Sequence, residues 1–94
     1  MPVFCAGMDL NLMHEADAAV RDEFSAEANT LIDDIEALPV PTVAGVKASA
    51  IAGAFELTLP ADFRVIDAEA TYGLRETKLG IFPFFGSTQR LPRL

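Results

Sequence analysis

The chain predicts an α/β fold in which short strands pack against helices, and three features of the sequence carry that expectation. Residues 16–38 hold one apolar stripe at helical spacing. Residues 41–46, 62–67 and 70–73 have the length and composition of strands. A small-residue segment between the first two opens a second helix near Gly53, so strand, helix and strand alternate.

Taken from the N-terminus, Asp9 followed by Leu10 begins or caps a first helical segment, where an acidic side chain suits the free amides of the opening turn. In residues 16–38, Val20, Phe24, Ala28, Leu31, Ile35 and Leu38 recur at steps of three and four and share a face; much of the remainder is acidic. Pro39 and Pro41 end that helix, because proline lacks the backbone donor and disfavours helix in the residue before it. Residues 41–46 then follow as a short, buried strand. In residues 48–59 the small side chains permit close backbone approach, and a helix starts near Gly53 with its first amides pointing outward. Residues 62–67 largely alternate polar with apolar and read as a strand, and residues 70–73 as a second, shorter one. Residues 79–94 mix Gly80, Pro83 and Gly86 with phenylalanines, which reads as a packed loop, and residues 88–91 open a helix that is cut short. No fixed-period repeat or linker interrupts this order.

Ninety-four residues make one domain at most, and a chain of this size buries only ~60–65% of its unfolded surface. With 51% hydrophobic and 22% charged residues it is globular, since it can offset the entropy of ordering. The net charge of -7 repels phosphate backbones and anionic lipid heads, which argues against nucleic acid and membrane surfaces as partners. A single cysteine, Cys5, rules out an intrachain disulfide and a cysteine-cluster metal site and fits a reducing cytoplasm. The first ten residues show no basic region ahead of an apolar run, and no apolar stretch is long enough for a membrane span. His14 has no partner at ligand or triad spacing and reads as a surface or capping residue, so no metal site is expected.

Two motifs bring a family into view. Phe4-Cys5-Ala6-Gly7-Met8-Asp9-Leu10 resembles the crotonase (enoyl-CoA hydratase/isomerase) superfamily's run of Phe, small residue, Ala, Gly, any residue, Asp and an aliphatic. Residues 41–94 are similar to the same family through Gly53-Ala54-Phe55-Glu56-Leu57, Ala61-Asp62, Tyr72-Gly73, Glu76, Leu79-Gly80, Pro83 and Gly86-Ser87-Thr88-Gln89-Arg90-Leu91. The resemblance covers essentially the whole chain. It implies a partial crotonase-like spiral of ββα units, a single domain over residues 1–94 that lacks the family's N-terminal strands and C-terminal helices. It also implies an oxyanion hole from the backbone amides of Met8 and Gly53, two catalytic glutamates at Glu56 and Glu76, and substrate contacts at Ala6, Gly7 and Phe84.

That constellation has a physical logic. A thioester carbonyl gains negative charge as an enolate develops, and two preorganised amide donors stabilise it selectively. Hydration of a 2-enoyl thioester needs a base for the water at the β-carbon and an acid for the α-proton, which two carboxyl groups in different environments supply. Glu56 lies three residues after Gly53, about one helical turn away, so carboxylate and amide serve the same small volume. The resemblance assigns Glu56 as base and Glu76 as proton donor. It implies an acyl-CoA substrate, with no cofactor beyond the coenzyme A the substrate carries, and a trimer or dimer of trimers when the domain is complete. Because an acyl-CoA is itself polyanionic, the basic groups facing it have to be placed locally.

Departures from the family pattern matter as well. Lys47, Ala48, Ala52 and Ala54 stand where an Asn and three glycines are usual, so any of these alanines that needs positive φ is strained. Arg75 stands where a proline commonly precedes the second glutamate, and its guanidinium is expected to pair with Glu76 and keep it ionised. Phe84-Phe85 occupies a stretch that usually carries small residues or glycine; core packing of the two rings is the commoner explanation for such a pair, and a bulkier, more closed acyl pocket is the alternative. Cys5 reads as a small packed residue, Asp62 as a structural hydrogen-bonding group, and neither Ser49 nor Ser87 has a Gly-x-Ser-x-Gly setting for a nucleophile. Family members are more than twice this long, so exposed apolar surface is expected. The alternatives to a hydratase are a truncated, non-catalytic relative that assembles with full-length partners or only binds acyl-CoA, and an enoyl-CoA isomerase using the same oxyanion hole.

Overall fold

In the computed structural model, which describes residues 2–94, an aspartate caps each of the first two helices. Strand β1 (Val3–Cys5) is followed by α1 (Leu10–Glu15), where Asp9 Oδ1 accepts the N–H groups of Asn11 at 2.9 Å and Leu12 at 3.2 Å. Asp17 Oδ1 then accepts from the Val20 N–H at 2.9 Å and opens α2 (Ala18–Glu36). The apolar stripe of α2 runs closer to steps of four than the spacing predicts. Phe24, Ala28 and Ile35 are half-buried and Ile32 is buried, while Val20, Leu31 and Leu38 stay exposed on the flanks.

The remaining elements are β2 (Val43–Val46), β3 (Ser49–Ile51), α3 (Gly53–Thr58), β4 (Phe63–Ile66), β5 (Tyr72–Gly73), a 3₁₀ turn (Glu76–Leu79), α4 (Ser87–Arg90) and a second 3₁₀ turn (Leu91–Arg93). All pairing is parallel: β2 with β4, and β3 between β1 and β5. Val43 lies opposite Phe63 and Val46 opposite Ile66, twenty residues on. Ala50 lies opposite Tyr72, twenty-two residues on. Each circuit of the chain therefore lays one strand on each of two sheets before turning back, which is a spiral. Parallel strands cannot be joined by a tight hairpin, and α3 supplies the crossover.

Side chains lock the register at the strand starts. Asp62 Oδ2 accepts from the Thr42 N–H at 2.8 Å and the Thr42 hydroxyl at 3.1 Å, and the Asp62 N–H donates to Thr42 Oγ1 at 3.0 Å, so Asp62 is the structural group the sequence implied. On the other sheet the Thr71 N–H donates to Ser49 Oγ at 3.1 Å. The buried centre is Val46, Ala50 and Ala54, packed against Cys5 and Tyr72. Small residues there let the two sheets and α3 approach closely.

Two expectations change. Strand β2 is not buried: only Val46 is enclosed, and Val43 is exposed. In β4 the alternation holds with the inward face polar, because Phe63 and Val65 stand 62% and 66% exposed while Arg64 turns toward α3. Its Nη1 donates to the carbonyls of Leu59 at 3.1 Å and Ala61 at 2.7 Å, groups that a helix end leaves without intrahelical donors. Among the described residues no helix is long and apolar enough to cross a membrane.

The C-terminal segment is held against α2. Arg90 Nη2 donates to Asp33 Oδ1 and Glu36 Oε2, both at 2.8 Å, and Asn29 Nδ2 donates to the Phe84 carbonyl at 3.3 Å. Gly86, at φ +85°, makes this possible, since a Cβ there would lie 2.1 Å from Arg90 Nη1. Gly86→Ala is therefore expected to lower stability by about 2 kcal/mol through backbone strain and displacement of Arg90. Urea denaturation measures this, and an unchanged midpoint would show that the clamp carries no stability.

Candidate active site

The site begins where β1 and α3 meet. Gly7 has φ +93°, and a Cβ on it would stand 3.2 Å from the Ile51 carbonyl oxygen and 3.6 Å from the Gly53 nitrogen, so both conformation and space demand glycine. The turn carries Met8 alongside the first residue of α3. A Cβ on Gly53 would lie 3.9 Å from the Met8 nitrogen and 3.3 Å from Phe85 Cε2. Neither the Met8 nor the Gly53 N–H donates to an acceptor among the described residues. Ala52, the residue before α3, takes φ +56° and ψ −129°. Of the alanines that replace glycine in this motif, Ala52 alone carries the strain the sequence raised; Ala48 and Ala54 sit in ordinary backbone.

Both glutamates are buried, Glu56 to 2% exposure on the first turn of α3 and Glu76 to 5% at the start of the 3₁₀ turn. Glu56 Oε1 accepts from the Phe85 N–H at 3.1 Å and the Ser87 hydroxyl at 2.6 Å. Glu76 Oε2 accepts from the Arg75 N–H at 2.8 Å. The Ser87 backbone N–H also acts on Glu56, and both glutamate side chains line one cavity. Burial pushes the Glu56 carboxyl above its ordinary range, and the negative charge of Glu76 adds to the rise. The donors Ser87 and Phe85 oppose it.

One cavity of about 160 Å³ brings the two glutamates, Met8, Gly53, Ala6 and Phe84 together, with Arg75 and Phe85 also in its wall. Gly7 lies outside this wall and acts through the turn that places Met8. A second, larger apolar groove of about 500 Å³ runs between α2 and α3 and shares Met8, Gly53 and Phe85 with the first. Neither Glu56 nor Glu76 lines it.

Arg75 departs from expectation. Its side chain is exposed, no ion pair joins it to Glu76 among the described residues, and only its backbone N–H reaches that carboxylate. A guanidinium that gains no desolvated partner stays in water. Ser87 and Phe85 were missed as partners of Glu56, because thirty-one and twenty-nine residues separate them and no spacing rule links them. His14 is exposed, and its carbonyl accepts from Arg21 Nη2 at 3.4 Å. Cys5 is a partly buried free thiol whose Sγ accepts from the Gly7 N–H at 3.5 Å.

Comparison with known proteins gives a consistent result. The profile of the family described as enoyl-CoA hydratase/isomerase matches residues 2–94. The fatty acid oxidation complex subunit alpha of Pseudomonas aeruginosa is 46% identical over 95 residues, covering 98% of this chain and 13% of its own length. The mitochondrial methylglutaconyl-CoA hydratase of Homo sapiens is 44% identical over 91 residues, covering 97% of this chain and 27% of its own. The crystal structure of an enoyl-CoA hydratase from Bacillus anthracis superposes with a TM-score of 0.89 at 40% identity, over 97% of this chain and 35% of that one. The chain thus spans about a third or less of the length of these relatives.

Two outcomes follow from the site itself. Ala52→Gly is expected to stabilise the protein by about 1 kcal/mol, because relief of ~1–3 kcal/mol of backbone strain exceeds the ~0.5–1 kcal/mol entropic cost of glycine; a melting temperature that fails to rise contradicts the strain. For Glu56, a carboxyl whose pKa is higher folded than unfolded contributes stability below its ordinary value of 4.5 that is lost as pH rises through the folded value. Glu56→Gln should therefore raise the melting temperature near pH 8, with the gain vanishing below the ordinary pKa. Calorimetry across pH tests this, and a pH-independent difference overturns it.

Proposed function

The chain belongs to the enoyl-CoA hydratase/isomerase family, and from that premise we propose that it adds water across the 2,3-double bond of an enoyl-CoA thioester. The observation that supports this most is the meeting of two buried glutamates and two adjacent backbone amides on one small cavity.

In this reading the thioester carbonyl oxygen accepts from the Met8 and Gly53 N–H groups, and Glu56 and Glu76 hold the attacking water between them. Glu56 takes a proton from the water as its oxygen bonds to the β-carbon. The π electrons move toward the α-carbon and the thioester, and the resulting enolate is stabilised by the two amides. Glu76 delivers a proton to the α-carbon, leaving a 3-hydroxyacyl thioester. The donors on Glu56 offset part of the rise that burial causes and hold its carboxyl in place. Ala6 and Phe84 line the cavity around the acyl group, and Phe84 and Phe85 limit its bulk. The coenzyme A moiety comes with the substrate, so the reaction calls on no separate cofactor. A homo-oligomer, trimer or dimer of trimers, belongs to the proposal; the apolar side chains exposed on β2 and β4 support it. So does a cytoplasmic setting, although the methylglutaconyl-CoA hydratase relative is mitochondrial.

A second reading is favoured by the exposure of large apolar side chains such as Val43, Phe63 and Val65. It holds that the chain binds an acyl-CoA without turnover or assembles with a full-length relative. An isomerase would use the same amides and leave a shifted double bond in place of a hydroxyl.

Incubation with crotonyl-CoA, with products resolved by mass, separates these readings. The hydratase reading expects a product heavier by one water, and a drop in kcat of roughly 10²–10⁴-fold in Glu56→Gln and in Glu76→Gln. Wild-type rates in both variants would overturn it. Binding of the thioester without any product would establish the second reading in its place.

A further inference from the structure

The strongest observation outside the roles already assigned is Ser87. Its side chain is 1% exposed, and its Oγ lies 2.6 Å from Glu56 Oε1. We propose that Ser87 is a positioning residue for Glu56: with the Phe85 amide it engages Oε1, so that Oε2 is the oxygen left to meet the substrate. The inference rests on the hydratase reading only for the role it gives Glu56.

A serine hydroxyl has one hydrogen to donate, and an ionised carboxylate can only accept. The 2.6 Å separation is in the short range of charge-assisted O–H···O⁻ bonds. Two donors, the Ser87 hydroxyl and the Phe85 N–H, converge on one oxygen. A proton arriving on Glu56 is therefore directed to Oε2, the oxygen that these two donors leave free. Glu76 has no such side-chain donor; its one protein bond comes from the backbone of its neighbour. The two glutamates are thus held differently by their surroundings.

The support behind Ser87 is itself rigid. It is the first residue of α4, reached through Gly86 at φ +85°, and α4 is tied to α2 by Arg90 through Asp33 and Glu36. Among the described residues, the hydroxyl is bonded only to the carboxylate it orients.

The test uses Ser87→Ala and Ser87→Cys, the latter filling the space with a weaker donor, each checked for folding by circular dichroism and thermal melting. The carboxyl carbon of Glu56 is followed by NMR in glutamate-labelled protein, assigned by its loss in Glu56→Gln. Removal of the hydroxyl is expected to move the Glu56 titration to higher pH in Ser87→Ala, with Ser87→Cys intermediate. It should also carry the acid limb of the kcat/KM profile in the same direction and lower kcat on the order of tenfold with little change in KM. An unmoved Glu56 titration in either folded variant overturns the proposal. Absence of turnover in the wild-type protein would instead count against the hydratase reading, because the carboxyl titration decides the role of Ser87 without it.

Discussion

A carboxylate with 2% exposure needs donors, and the bonds Glu56 makes from α3 to Phe85 and Ser87 organise much of what surrounds it. They fasten the C-terminal segment over the start of α3 and so build one wall of the cavity. Phe85, held by its N–H, lays its ring against Gly53 and Phe24 and stands in the wall of both the small cavity and the apolar groove. Leaving a buried carboxylate without donors costs several kcal/mol, so attachment of the tail and burial of Glu56 depend on each other.

The spiral makes that attachment possible. Parallel pairing at an offset of twenty to twenty-two residues stacks successive circuits, and the positions that leave each sheet do so at the same end. Residues far apart in sequence, such as Met8 and Gly53, become neighbours because β1 and β3 lie side by side. The helix-to-tail clamp through Arg90 then fixes the last segment relative to α2.

Strain and exposure mark where this chain differs from a comfortable domain. Ala52 adopts a backbone conformation suited to glycine at the residue that sets the direction of the Gly53 amide. Surrounding contacts hold it there: its own N–H donates to the Gly73 carbonyl and its carbonyl accepts from the Glu56 N–H, both at 3.0 Å. On the far side of the spiral, Val43, Phe63 and Val65 form an apolar face on β2 and β4, paired across the strands by register. A surface of this kind is normally covered in a stable assembly.

Much of the framework was legible in residues alone. The steps of Phe24, Ala28 and Ile35 placed α2, Pro39 placed its end, and Asp9 announced the cap of α1, because these signals are local and act within a few residues. Met8, Gly53, Glu56 and Glu76, which the family resemblance singled out, line one cavity. Strands β1 and β3 escaped notice, since three residues cannot display a period, and the inward Arg64 inverted the usual sense of alternation. The exposed side chain of Arg75, the donors Phe85 and Ser87, and the strain confined to Ala52 among three alanines were decided by tertiary structure. They depend on which segments meet in space, and hydrogen bonds across thirty residues leave no spacing to read.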